Sequence, residues 1–169
     1  MQTMHQKVFI IGFMGAGKTT VAKKISESTG IPFFDTDAMI EEITGMSVSA
    51  IFLTWGEKYF RRMERDVIHQ LMADRSSFVA ALGGGSVCQP DIMDWLNRVG
   101  KTVWLNTPWP IIEKRLQLDT TRPLLQNTTP QDWRNLWEER MKFYQKSMIE
   151  YADAEELFTS LSSSLSSNG

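Results

Sequence analysis

Gly12-Phe13-Met14-Gly15-Ala16-Gly17-Lys18-Thr19 fits the pattern G-x-x-x-x-G-K-[ST] in full. Glycines at this spacing let the backbone curl until successive N–H groups face one concavity, which suits an anion. A helix starting near Lys18 adds its partial positive end. Lys18 then reaches the β- and γ-phosphates of a nucleotide, and the Thr19 hydroxyl can ligate Mg²⁺. The nucleotide set is therefore Gly12, Gly15, Ala16, Gly17, Lys18, Thr19 and the adjoining Thr20. An exposed lysine on a glycine-rich turn is the plain alternative; a buried strand before the loop and a helix after it argue against that. The motif identifies a nucleotide triphosphate such as ATP and leaves the acceptor open.

Asp35-Thr36-Asp37 offers two carboxylates at the end of a second apolar run. One aspartate can hold Mg²⁺, directly or through water, and the other can accept the proton of an attacking hydroxyl. Asp37 could equally be the N-cap of the next helix. The phosphate loop upstream favours chemistry, with Asp35 on the metal. Arg61 and Glu64 lie three apart, so on a helix the acid can hold the guanidinium, although Arg61, Arg62, Glu64 and Arg65 also read as a solvated charged face. Gly83-Gly84-Gly85 after a third apolar run is costly in backbone entropy and suits close approach to a ligand.

Buried strands alternating with helices must position these groups. Val8–Ile11, Ile31–Phe34, Phe78–Leu82 and Thr102–Leu105 are short continuous apolar runs, as expected of strands covered on both faces. Between them come a helix from Lys18 to Thr29, two short helices over 38–53, a longer one opened by Gly56, a short one from Asp91 to Arg98 and another from Pro108 to Leu118. Pro130 to about Tyr151 reads as a final long helix, and a fifth strand has only a weak candidate at Leu157-Phe158. The pattern predicts an α/β protein with a parallel sheet, in one domain over 1–159. The polar segment 117–129 is expected to be a lid, and the serine-rich 160–169 a frayed tail.

Composition narrows the partners. The chain has 169 residues, 42% hydrophobic and 22% charged, with a net charge of −2, which gives no global reason to expect nucleic acid or a membrane. The first residues run into an apolar stretch too short for a secretory signal, and a lone cysteine, Cys88, forms no internal disulfide. A cytoplasmic monomer is expected. Neither histidine has a partner at zinc-ligand spacing, and the six tryptophans and ten methionines read as packing.

Six stretches then occur together: GFMGAGKT at 12–19, DTD at 35–37, FRRMERD at 60–66, LGGGSV at 82–87, RPLL at 122–125 and ERMKFY at 139–144. In order and spacing the chain from Val8 to Tyr144 resembles the shikimate kinases. The resemblance implies a three-layer α/β/α P-loop NTPase fold with a five-stranded parallel sheet. It also implies phosphorylation of the 3-hydroxyl of shikimate by ATP with Mg²⁺, in aromatic amino-acid biosynthesis. It gives Asp37 the substrate hydroxyls and the role of base, and Arg61 and Arg140 the carboxylate. Gly84, within the triplet Gly83–Gly85, offers a backbone N–H, Glu64 orients the arginine and Phe60 shapes the wall. Arg115 would lie against adenine, and Arg122 would come from the lid to the phosphates.

Physical chemistry agrees with these implied roles. Arginine forks grip a carboxylate by two parallel bonds, and a lid arginine can supply charge as it spreads over the γ-phosphate. Lys142 stands where the family usually has proline, and Tyr151–Glu156 departs from the usual short strand of the adenine end. A related kinase acting on a gluconate-like acid or a nucleoside monophosphate is the runner-up, followed by a nucleotide-binding module without turnover.

Overall fold

The computed structural model describes residues 6–74, 77–119, 125 and 127–166. Five strands, β1 (Lys7–Ile11), β2 (Phe33–Asp35), β3 (Phe78–Ala81), β4 (Lys101–Leu105) and β5 (Ile149–Tyr151), form one parallel sheet in the order β2-β3-β1-β4-β5. β1 lies at the centre, with Ile10 level with Ala81 on one side and Val103 on the other. Alternate residues of each strand point to opposite faces, so a continuous apolar run serves two cores at once.

Val8 and Ile10 join Val79, Ala81, Val103 and Leu105 on one face, covered by α1 (Lys18–Thr29) and α7 (Ala154–Ser166). Phe9 and Ile11 join Phe78, Ala80 and Trp104 on the other. That face is covered by the second half of α3 (Val48–Asp74), α4 (Ile92–Val99), α5 (Trp109–Leu118) and α6 (Pro130–Tyr144). The fold is the expected three-layer α/β/α arrangement. A third small cluster, Ile40, Ile51, Phe60 and Val67, joins α2 (Thr36–Thr44) to α3. Gly56, at φ 79° and ψ 171°, breaks α3 into two helical pieces.

The C-terminal third differs from the sequence reading. The last long helix stops at Tyr144 rather than Tyr151, because Lys146 N–H and Ser147 N–H turn back to the carbonyls of Phe143 and Tyr144. Met148 N–H then donates to Thr102 Oγ1 at 2.9 Å, and the chain enters β5. The Leu157-Phe158 candidate lies in α7 instead. So do residues 160–166 of the serine-rich segment. Leu157, Leu161 and Leu165 recur every four residues and are all buried. Each is worth roughly 1.5–3 kcal/mol, whereas serine costs less than about 0.7 kcal/mol of helix propensity per residue. Asp153 Oδ1 caps the helix by accepting from Glu155 N–H and Glu156 N–H at 2.9 and 3.0 Å.

Among the described residues, no helix is long and apolar enough to cross a membrane. Of the expected lid, 120–124 and 126 lie outside the described residues, Arg122 with them.

Candidate functional site

The phosphate loop follows β1, the aspartate pair ends β2 and the glycine triplet follows β3, so the parallel sheet delivers all three to one edge. Open α/β sheets hold ligands at that edge, beside the central strand where the strand order reverses. Gly12 takes φ 145°, and a Cβ there would come within 2.6 Å of the Leu105 carbonyl, so the loop can cross β4 this closely only with glycine. Gly17 precedes α1 with no side-chain cap, which leaves the first-turn amides to an anion. Lys18 is buried and donates to the carbonyls of Gly12 and Phe13 at 2.8 and 2.9 Å, curling the loop around itself. Arg115 Nη1 and Thr107 Oγ1 brace the loop from α5 and its approach, donating to the Ala16 carbonyl at 3.1 and 2.8 Å. Arg115 also reaches the Gly15 carbonyl at 2.8 Å.

Asp35, rather than Asp37, is the N-cap of α2: its Oδ1 accepts from Asp37 N–H and Ala38 N–H at 3.0 and 3.2 Å. Its Oδ2 accepts from Thr19 Oγ1 at 2.5 Å. Capping therefore falls to one aspartate, and the other turns into the cleft.

That cleft, of 630 Å³, is lined by Gly15 to Val21, Lys24, Asp35, Asp37, Gly83, Gly84 and Arg115, with Ala154 and Glu155 at the far end. Lys24 Nζ and Glu155 pair there at 2.6 Å, tying α1 to α7. A second pocket, of 60 Å³, is lined by Met14, Asp37, Val48, Phe52, Phe60, Arg61, Glu64, Gly83–Gly85 and Arg140. The two share Asp37, Gly83 and Gly84.

The small pocket is built around buried charge. Glu64 is 0% exposed, and its Oε2 accepts from Arg61 Nη1 at 2.7 Å while Oε1 accepts from Ser86 Oγ at 2.5 Å. Burial pushes the Glu64 carboxyl above its ordinary range, against the pull of Arg61 and Ser86. Burial alone would lower the Arg61 guanidinium, but Glu64 and Glu57 reverse this and hold it above its usual value. Its Nη2 donates to Glu57 at 2.9 Å, and its Cζ lies 5.5 Å from the Phe60 ring. Arg140, 7% exposed, packs over Phe13 at 5.6 Å. The glycine triplet is forced by what presses on it. A Cβ at Gly83 would meet Glu64 Oε1 at 2.6 Å and Asp37 Oδ1 at 2.7 Å; one at Gly85 would meet Arg61 Cζ at 2.6 Å.

The structure thus gathers Lys18, Thr19, Thr20, Arg115, Asp35 and Asp37 around one cleft. It gathers Phe60, Arg61, Glu64, the triplet and Arg140 around the other pocket, which Asp37 also lines. Sequence reasoning missed Thr36, which accepts from Gly83 N–H at 3.1 Å, and Ser86. It also missed Val48 and Phe52 in the pocket wall. Thr36 sits between the two aspartates and Ser86 directly after the triplet, so position was their only signal.

A nucleotide cradle joined through one carboxylate to a small cationic pocket defines a P-loop phosphotransferase. The shikimate kinase family model matches residues 14–164. A shikimate kinase of Synechococcus elongatus is 39% identical over 146 residues, covering 86% of this chain and 76% of that one. One of Parabacteroides distasonis is 38% identical over 159 residues, covering 91% of each. The structure of the Acinetobacter baumannii shikimate kinase in complex with shikimate superposes with a TM-score of 0.88 at 32% identity, over 98% of this chain and 96% of that one. The chain belongs to the shikimate kinase family.

Proposed function

We propose that this chain transfers the γ-phosphate of ATP to the 3-hydroxyl of shikimate, giving shikimate 3-phosphate and ADP for aromatic amino-acid biosynthesis. The observation that carries the mechanism is Asp37, the one ionisable side chain common to the nucleotide cleft and the acceptor pocket among the described residues. Arg61 and Arg140 take the acid's carboxylate as guanidinium forks, and the Gly84 N–H takes a ring hydroxyl. Asp37 accepts the proton as the 3-oxygen bonds to γ-phosphorus and the bond to the β,γ-bridging oxygen breaks, releasing ADP. Lys18 and the loop amides hold the phosphates, and Arg115 and Ala154 flank the base end. The segment 117–129 is the lid that brings Arg122 to the transferring group.

The oxygens of Thr19 and Asp35, 2.5 Å apart beside the loop, are a donor set that fits Mg²⁺. No cluster of three or more His, Cys, Asp or Glu competes with it among the described residues. The ion supplies neutralisation of β,γ-phosphate charge. The lone cysteine fits a reducing cytoplasm, and the charge of −2 gives no pull towards nucleic acid or a membrane surface; monomer is the default oligomeric state of this reading.

A coupled ADP-release assay with shikimate, gluconate and a nucleoside monophosphate tests the reading. Release with shikimate is expected. Bound ATP with no release from any acceptor would overturn it.

A further inference from the structure

Tyr144 stands on α6 one turn beyond Arg140 and is 1% exposed, its ring centroid 5.9 Å from that of Trp104. Its hydroxyl donates to the Gly84 carbonyl at 2.5 Å, with the Arg140 guanidinium close by. Burial raises the phenol well above its ordinary value, so it keeps its proton, and its donor role, at any working pH.

The other backbone groups of the triplet can be followed one by one. Gly83 N–H donates to Thr36, the Gly83 carbonyl accepts from Ser86 N–H at 3.0 Å, and the Gly85 carbonyl accepts from Cys88 N–H at 3.1 Å. The amides of Gly84 and Gly85 find no acceptor among the described residues. In a trans peptide the carbonyl and the following N–H point opposite ways, and the described peptides are all trans. With the Gly84 carbonyl turned to the buried phenol, the Gly85 N–H points the opposite way, and Gly85 itself lines the pocket beside Arg61.

We infer that Tyr144 is a positioning residue of the acceptor site, its hydroxyl aiming the Gly84–Gly85 peptide so that Gly85 N–H joins Arg61 and Arg140 as a donor to the anionic oxygens of the acceptor. The inference rests on the reading of that acceptor as a hydroxylated acid. The phenol also ties the triplet to α6, so the two arginines and the amide are held as one unit. Preorganised donors of this kind improve binding without a new contact from the phenol itself.

Tyr144→Phe keeps the ring and its contact with Trp104 and removes only the hydroxyl. The KM for shikimate should rise roughly two- to tenfold, as expected for one hydrogen bond, while the KM for ATP and kcat stay near wild type. An unchanged KM for shikimate, or equal rises for both substrates, would reduce Tyr144 to packing and overturn the inference. A second readout needs no variant. In ¹⁵N-labelled wild-type protein, shikimate without nucleotide should shift the Gly85 amide resonance and leave that of Leu161 in α7 unmoved; an unmoved Gly85 would overturn the inference. Wild-type protein lacking shikimate-dependent ADP release would overturn the functional reading together with this inference, whereas normal wild-type turnover with an unaltered variant would overturn this inference alone.

Discussion

The phosphate loop takes its geometry from eight consecutive residues, mostly through backbone groups. The acceptor pocket draws Arg61, Glu64, the glycine triplet and Arg140 from separated segments and holds them by side-chain pairing. In the loop the glycines exist to bend the chain, and the ligand meets N–H groups fixed by that bend. In the pocket they exist to make room, since Asp37, Glu64 and Arg61 press against the places where Cβ atoms would be. A contiguous site survives changes elsewhere, whereas an assembled one depends on every tie. Asp37 belongs to both, so damage there should be greatest.

Asp37→Asn removes the proposed proton acceptor while leaving the loop whole. Turnover should fall by about 10²–10⁴-fold, the usual contribution of general-base catalysis, with ATP affinity retained by equilibrium binding. Comparable turnover would remove Asp37 from the chemistry. Gly85→Ala separates the two regions more cleanly. The new methyl group displaces the Arg61 guanidinium, so the KM for shikimate should rise roughly ten- to a hundredfold, the range expected for lost charged hydrogen bonds. The KM for ATP should hold, and parallel changes in the two constants would mean that the pocket and loop are not separable.

Glu64→Gln tests the buried pairing by pH. With its native pKa above the ordinary 4.5, Glu64 keeps its proton in the folded chain over a range where the unfolded chain has lost it. Its contribution to stability therefore falls as pH rises through that window, by at most about 1.4 kcal/mol per pH unit. Glutamine does not titrate, so urea midpoints of wild type minus variant should decline as the pH rises above the ordinary 4.5; a constant difference would contradict this. The smallest effect belongs to Lys24→Ala, where the cleft meets Glu155 of α7. That ion pair is exposed, 50% and 67% for the two side chains, and pairs of this kind contribute little. The KM for ATP should stay within about twofold, and a larger rise would make Lys24 a ligand of the nucleotide.

The same contrast explains what the sequence disclosed. The loop was readable because strand, glycines, lysine and helix are contiguous. β1, β3 and β4 were readable because burial on both faces leaves unbroken apolar runs such as Val8–Ile11, whereas β2 is a short, partly buried edge strand that showed only through Phe33-Phe34 before Asp35. Asp35 and Asp37 could not be told apart by type; only the backbone geometry that makes Asp35 the cap separates them. The types and spacing of Arg61 and Glu64 fit an ordinary charged face as well as a site, and only the full burial of Glu64 separates the two; their roles, and that of Arg140, came from family resemblance. β5 was hidden because it is short and only partly buried, Ile149 to Tyr151. α7 was hidden because its serines masked a leucine every fourth residue.

The break at Gly56 bears on how such a site can diversify. Val48 and Phe52, which line the acceptor pocket, lie on the piece of α3 before it, and Arg61 and Glu64 on the piece after it. Part of the pocket wall and the charged pair therefore fall on two helical pieces with a backbone break between them. On the proposed reading of that pocket, substitutions at Val48 and Phe52 can reshape part of its wall while the Arg61–Glu64 pair stays in place, so the shape of the accepted acid can change before its charge recognition does.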